Sequence, residues 1–141
     1  MSEKLSAETK AIMSERFGRD TLISLATVDG NTPWVRMVNS YYEDGAFYVI
    51  TLSSLNKARQ IERNPAVAIC GDMYTFHGVG KNLGHILDEK NTYIAAKLRA
   101  AFADWYDSQI DESNPDFCIL CINLTSGTLF TERGRYDIDF I

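Results

Sequence analysis

The sequence predicts a mainly β protein with helices, built as a small antiparallel β-barrel of six or seven strands. Short runs rich in β-branched and aliphatic residues alternate with turns of Gly, Asn and Asp, which is typical of strands joined in meander order. Three other segments place apolar residues at helical spacing. Neither a repeat nor a low-complexity tract interrupts the 141 residues, so we expect a single domain over residues 1–141.

The N-terminal part predicts one helix followed by three strands. Residues 6–17 begin at Ser6, a residue type that caps helices, and end before Gly18. Beyond them, strands are predicted at Thr21–Val28, Pro33–Tyr42 and Ala46–Thr51. The last two strands are joined by Asp44-Gly45, which is a strong signal for a tight hairpin.

The rest of the chain predicts two helices and four more strands. A short helix over residues 55–63 ends at Asn64-Pro65, and a long helix spans Asp88–Asp107. The long helix has an apolar stripe formed by Ile94, Leu98, Ala101, Phe102 and Trp105. Strands are predicted at Ala66–Cys70, His77–Leu87, Phe117–Leu124 and Gly127–Thr131. Glycines at 78, 80 and 84 indicate bulges or a tight barrel bend more than a phosphate loop.

Composition excludes several classes of protein. The chain has 14 basic and 19 acidic residues, a formal net charge of −5, which argues against an electrostatic nucleic-acid binder. No apolar run is long enough for a membrane span. The first residues are polar and of mixed charge, unlike a secretory signal peptide, so we expect a cytoplasmic protein.

Cys118 and Cys121 have the CxxC spacing of redox and zinc motifs, but they lie within an apolar strand. Positions i and i+3 of a strand point to opposite faces, and no second ligand pair has the spacing that zinc needs. We therefore interpret both as small core residues and predict no metal. Cys70 is the third cysteine of the sequence. Three cysteines cannot all form disulfides within one chain, which favours a reducing compartment.

The hairpin places a cation at a defined position. A two-residue loop pairs Glu43 with Ala46, and the same register sets Arg36 opposite Ser53, with Thr51 on the same face.

The helix that follows this hairpin offers a second source of positive charge. A serine of Ser53-Ser54 could cap this helix, which also carries Lys57. A helix start binds anions through free N–H groups, and an Arg–Lys pair suits a phosphate monoester. Equally, Arg36 could form a cross-strand ion pair and Lys57 could be a solvated helix residue; spacing alone favours neither interpretation.

Three stretches together resemble the pyridoxamine 5′-phosphate oxidase-like family, whose members are FMN-binding split barrels often described as general stress proteins. They are Val35-Arg36-Met37-Val38, the Tyr42–Thr51 hairpin and the segment from Lys57 to Asn64-Pro65. The resemblance is close over residues 20–82 and weaker to about residue 131. It implies FMN held at the interface of a homodimer.

The resemblance also implies which residues contact the cofactor. Arg36 and Lys57 would hold the FMN phosphate, beside Ser53 and Ser54. The ribityl chain and the edge of the ring would be lined by Met37, Val38, Asn39, Ile50 and Thr51. Thr75 matches a position that meets the flavin from the other subunit.

This chain departs from the oxidase proper. Asn56 replaces an Arg beside the phosphate, and Tyr41 stands where the oxidase has a substrate-binding Lys. The C-terminal Trp and Arg-x-His elements of the substrate pocket have no counterpart in Gly127–Ile141. The resemblance therefore implies a retained flavin site and a lost vitamin-phosphate site.

The leading hypothesis is a flavin-dependent oxidoreductase in which a reduced nicotinamide supplies electrons for a small acceptor, with no catalytic side chain identified. Alternatives are a flavin-binding sensor or storage module without turnover, a split barrel that uses haem, FAD or deazaflavin, and a dimeric structural protein with an empty site. A haem would need an axial ligand such as His77 or His85, although each is more typical of a barrel or surface residue.

Overall fold

A computed structural model describes residues 3–141, and its main feature is an antiparallel barrel of six strands. The strands are β1 (Glu3–Lys4), β2 (Thr21–Asp29), β3 (Thr32–Glu43), β4 (Ala46–Leu52), β5 (Ala66–Gly71), β6 (Tyr74–His85), β7 (Phe117–Thr131) and β8 (Gly134–Asp139). The order β7-β4-β3-β2-β5-β6 closes on itself through pairing of β6 with β7, while β8 and then β1 extend the sheet from β7. The predicted fold class is therefore confirmed.

Four α-helices accompany the barrel: α1 (Ala7–Phe17), α2 (Asn56–Arg63), α3 (Thr92–Ala101) and α4 (Tyr106–Gln109), with a 3₁₀ turn at Glu89–Asn91. Helix α1 begins as predicted, since the Ser6 hydroxyl accepts a hydrogen bond from the Thr9 amide at 3.1 Å. None of the helices within residues 3–141 has both the length and the apolarity to cross a membrane.

Two hydrophobic clusters hold the barrel and its helices together. The barrel interior packs around the aromatic rings of Phe17, Phe47 and Phe76, all fully buried. A second cluster lies outside the barrel, where Leu98 and Phe102 of the α3 segment cover one side of the sheet. This second cluster brings the helices close to β4, which positions them beside the predicted site.

The prediction of one continuous helix over Asp88–Asp107 is wrong. This segment is divided into the 3₁₀ turn, α3 and α4, with a reverse turn at 102–105. The stripe correctly identified buried Ile94, Leu98 and Phe102. A hydrogen bond from the Trp105 indole to distant Asp20 accompanies the break, and no local spacing predicts such a bond.

The two final predicted strands form one long strand, β7, and neither β1 nor β8 has a counterpart among the predicted strands. Gly127 lies in the middle of β7 and close against β6, since a Cβ atom there would come within 2.7 Å of the Thr75 carbonyl oxygen. The expected irregularities occur in β6, with register shifts at His77/Gly78 and between Asn82 and His85.

Candidate functional site

The split between β3 and β4 creates the candidate site. Their pairing follows the predicted register at Glu43/Ala46, Tyr42/Phe47 and Tyr41/Tyr48, and then ends. Beyond this point β3 continues with β2 and β4 continues with β7. The two strands thus separate, and the open space between them becomes a cleft.

The expected pairing of Arg36 with Ser53 is therefore wrong. Arg36 pairs with Leu25 of β2, and Thr51 pairs with Cys118 of β7. The local register was right near the turn, but β3 and β4 separate beyond the Tyr41/Tyr48 pair, so Arg36 has no partner on β4. Arg36 still points towards the barrel interior, because it alternates with buried Val38 and Ser40 along β3.

The cleft has a volume of about 410 Å³ and combines residues from three regions, a size within the usual range of small-molecule sites. It is lined by Val38, Asn39, Val49, Ile50, Thr51, Lys57, Trp105, Gln109 and Ile110. Five of these were predicted as cofactor contacts. Val49, Trp105, Gln109 and Ile110 also line the cleft but were not predicted as contacts. The approach of the last three depends on how α3 and α4 fold over the sheet.

Neutral groups hold Arg36 in place. Its Nη1 donates to the Thr27 hydroxyl at 2.7 Å and to the Leu25 carbonyl at 3.3 Å, while Nη2 donates to Gln60 Oε1 at 3.2 Å. Thr27 in turn donates to Gln60 Oε1 at 2.5 Å, and both side chains are buried. None of these partners neutralises the guanidinium. Its Nε–H and one Nη2–H lack acceptors among the described residues, which leaves donors for an anion.

Lys57 adds a second positive charge near Arg36. Burial, and then the positive charge of Arg36, lower the pKa of Lys57 below its usual value. Burial also lowers the pKa of Arg36. Within residues 3–141 neither cation forms an ion pair with a carboxylate. The interpretation of Arg36 as a member of a cross-strand ion pair is thus wrong, and the two cations are available to an anionic ligand.

A serine does not cap α2, contrary to prediction. Leu55 occupies the N-cap position, and no side chain in the described part of the chain caps the first turn. Ser54 instead donates to Asp116 Oδ2 at 2.6 Å, while the Ser53 hydroxyl accepts from Asn82 at 3.3 Å. The long-range partner Asp116, which local sequence does not reveal, draws Ser54 away from the helix.

Two further predicted contacts lie on the outer surface of the sheet. Met37 is 56% exposed and faces away from the barrel interior. Thr75 of β6 is also exposed and pairs with Cys70 and Thr128. Neither residue lines the cleft within one protomer.

The histidines and cysteines are occupied elsewhere. Both ring nitrogens of His85 face carbonyl oxygens, Nδ1 that of Phe117 at 2.8 Å and Nε2 that of Glu112 at 3.0 Å. His77 is exposed and does not line the cleft. Cys118 and Cys121 are buried as predicted, and burial raises the pKa of each thiol. No cluster of three or more His, Cys, Asp or Glu side chains within residues 3–141 could hold a metal ion.

The lowered pKa of Lys57 leads to a direct prediction. In the ligand-free protein we expect the Lys57 ammonium to titrate below the usual lysine value and to move upward when phosphate binds, because an anion favours the charged form. Anion affinity should accordingly fall as pH rises through the pKa of Lys57. NMR titration of the lysine side chains with and without inorganic phosphate measures both effects. Arg36→Gln should raise the pKa of Lys57 without any ligand; no response to either change would contradict the shared anion site.

Comparison with known proteins places this geometry in a family. A family model described as pyridoxamine 5′-phosphate oxidase matches residues 9–130, whereas no curated protein matches the chain.

Solved structures show the same fold at low sequence identity. HutZ, the heme storage protein from Vibrio cholerae, has a TM-score of 0.65 at 22% identity, covering 90% of this chain and 95% of that one. General stress protein 26 from Bacillus anthracis has a TM-score of 0.63 at 18% identity, covering 84% and 90%. An FAD-binding protein from Mesorhizobium loti has a TM-score of 0.62 at 18% identity, covering 87% and 92%. With the family model matching most of its length, this chain belongs to the pyridoxamine 5′-phosphate oxidase family.

Proposed function

We propose that the protein is an FMN-binding flavoprotein that acts as a flavin-dependent oxidoreductase on a small molecule. The observation that carries this proposal is the pair Arg36 and Lys57, neither of which has a carboxylate partner within residues 3–141. Lys57 lines the cleft between the separated strands, and Arg36, which is not itself a lining residue, lies near Lys57. A phosphate monoester provides the charge that such a pair lacks. Lys57 itself lies in the first turn of α2, whose N–H groups no side chain within residues 3–141 caps, and free N–H groups at a helix start favour an anion.

The remainder of the cleft suits the other parts of FMN. Val38, Val49 and Ile50 provide an apolar surface for a ring system, and Asn39 and Thr51 provide polar groups for the ribityl chain. When bound, the flavin would supply the electron transfer, while the protein binds and orients it. We expect a reduced nicotinamide to donate the electrons and a small molecule to accept them.

Pyridoxamine phosphate is not the substrate that we propose. Tyr41, at the position of the substrate-binding lysine, donates its hydroxyl hydrogen to Glu43 Oε1 at 2.8 Å. Of the residues that line the cleft, Lys57 alone carries a positive charge. One lysine committed to the FMN phosphate leaves no cleft cation for a second phosphate.

A homodimer with the flavin at its interface is part of this proposal. The outer face of β2, β3, β5 and β6 carries exposed apolar side chains, which we call the open sheet face: Leu22, Val35, Met37 and Val79. Helices α3 and α4 cover the outer side of β4, but nothing within residues 3–141 covers the open sheet face. Such patches mark interaction surfaces. Thr75 shares this face, which is consistent with a contact across the interface.

A matched pair of substitutions tests the dimer. Leu22 and Leu87 are both 56% exposed, but only Leu22 lies on the open sheet face. We expect Leu22→Lys to raise the dimer dissociation constant by at least about tenfold, because it buries a charge near the interface. Leu87→Lys should leave it unchanged. Sedimentation equilibrium measures both; a monomeric wild-type protein, or equal effects of the two substitutions, would reject this interface.

An absorption spectrum of the purified protein, with mass analysis of the released ligand, tests the cofactor. Flavin bands and a mass equal to FMN support the proposal, and reduction by NAD(P)H followed by reoxidation by a defined acceptor supports turnover. Bound FMN that is never reduced indicates a sensor or storage module. A released ligand with the mass of FAD or of a deazaflavin identifies that molecule as the cofactor in place of FMN. A Soret band indicates haem, which the occupied ring nitrogens of His85 disfavour. A colourless protein that ignores added FMN indicates a structural role.

We also propose a cytoplasmic location. All three cysteines are free, and two of them are buried, as expected for a protein in a reducing compartment.

A further inference from the structure

The wall of the cleft opposite β3 contains one aromatic side chain, Trp105, which is fixed from two directions. Its indole Nε1 donates to Asp20 Oδ2 at 2.7 Å. Its ring stacks on buried Phe102, with centroids 4.7 Å apart and an angle of 28° between the planes. A side chain held by both its polar edge and one face keeps a single orientation.

Asp20 connects this wall to the other side of the cleft. Its Oδ1 accepts a hydrogen bond from Asn39 Nδ2 at 2.9 Å, while Oδ2 accepts the bond from Trp105. Asn39 and Trp105 both line the cleft, but they belong to β3 and to the turn between α3 and α4. One carboxylate thus accepts hydrogen bonds from residues on both walls of the cleft.

From this arrangement we infer that Trp105 is a contact surface for the planar ring of the bound ligand, and that Asp20 is the residue that positions it. This inference rests on the proposed function, because it takes the planar ring to be the ring of FMN. The remaining lining groups near Trp105 are Gln109 and Ile110, which are uncharged. A planar, largely apolar ring would therefore meet an aromatic wall whose neighbouring lining groups are uncharged, while the Asp20 carboxylate is bonded to the edge of the indole. Aromatic stacking contributes to binding at such a surface.

Asp20 is predicted to act through Trp105 and not by touching the ring. Asp20→Asn keeps the size of the side chain, but its amide oxygen can serve only one of the two donors while its NH₂ opposes the other. Asp20→Ala removes both acceptors. We expect Asp20→Ala and Trp105→Leu each to weaken FMN binding about three- to tenfold, the range of one aromatic contact. The double variant should lose little more than either single one, since both remove the same contact.

Fluorescence of the bound flavin distinguishes this role from general destabilisation. An indole in contact with an excited flavin quenches it by electron transfer, whereas a phenyl ring does not. We expect bound FMN to be strongly quenched in the wild-type protein and to regain fluorescence in Trp105→Phe, which preserves aromatic packing. Asp20→Asn should restore part of the emission, as the indole becomes mobile. Asp104→Asn, an exposed carboxylate next to Trp105, is the matched control and should change nothing.

A second measurement needs no ligand. In the free protein the indole N–H of Trp105 should exchange slowly with solvent, and the exchange should accelerate in Asp20→Asn but not in Asp104→Asn. Fast exchange in the wild-type protein would overturn the positioning role of Asp20. Unchanged emission in Trp105→Phe, with FMN still bound, would overturn the ring contact. Failure of the wild-type protein to bind FMN would overturn the proposed function and the ring contact together, and the indole exchange would show whether the positioning role survives.

Discussion

Arg36→Ala and Lys57→Ala are each expected to weaken FMN binding by about ten- to hundredfold while affecting riboflavin far less. A hydrogen bond to a charged group contributes roughly 1.5–3 kcal/mol, which corresponds to that range of affinity. Riboflavin has the same ring and ribityl chain but no phosphate, so the difference between the two ligands isolates the anion contact. Titration of the apoprotein with each flavin, followed by fluorescence or calorimetry, measures both constants.

Helix α2 provides the control for net charge. Arg59 lies on the same helix as Lys57 and is exposed. Arg59→Ala removes one positive charge from this part of the surface without touching the cleft. We expect it to change the FMN constant less than about twofold at physiological ionic strength, since exposed charges are screened. Equal losses for FMN and riboflavin in Arg36→Ala and Lys57→Ala would refute the phosphate assignment.

Phe47→Ala should lower the free energy of unfolding by ~3–5 kcal/mol. Phe47 is fully buried at the centre of the barrel, with its ring 5.4 Å from Phe17, 5.2 Å from Tyr42 and 6.2 Å from Phe76 between centroids. Removing the ring leaves a cavity and breaks three aromatic contacts. Urea denaturation at equilibrium measures the change.

Two other variants give this result its reference points. Phe47→Leu keeps much of the volume and should cost clearly less than Phe47→Ala. Leu87→Ala truncates a side chain that is 56% exposed and should change stability by about 0.5 kcal/mol or less. A loss below about 1 kcal/mol for Phe47→Ala would mean that the barrel interior is not the packed core described above.

Local sequence was sufficient wherever short-range chemistry decides the structure. The Ser6 cap begins α1, and Asp44-Gly45 sets the hairpin register for its first three pairs. The CxxC cysteines are core residues because they lie in an apolar strand. In each case the partners are a few residues apart, or a periodic pattern reports which face is buried.

Predictions failed where a partner distant in the chain changes the outcome. Ser54 is drawn from its expected capping role by Asp116, and Trp105 departs from a continuous helix with its bond to Asp20. Arg36 was expected opposite Ser53 but pairs with Leu25 alone, because β3 and β4 separate after the first three pairs of the hairpin. Such contacts cannot be derived from spacing, since they depend on which strands close the barrel.

By itself, the sequence determined the alternation of strands and helices, the hairpin, and the choice of Arg36 and Lys57 as candidate cations, because turn residues, periodicity and residue type are local properties. Only the tertiary structure decided that the two strands separate, that Lys57 lies near Arg36, and that no carboxylate reaches these cations within residues 3–141. The tertiary structure also decided that Trp105 lines the cleft with its indole bonded to Asp20. The physical reason is that the cleft exists because β3 and β4 stop pairing, and where two strands of a closed barrel pair depends on the arrangement of all its strands.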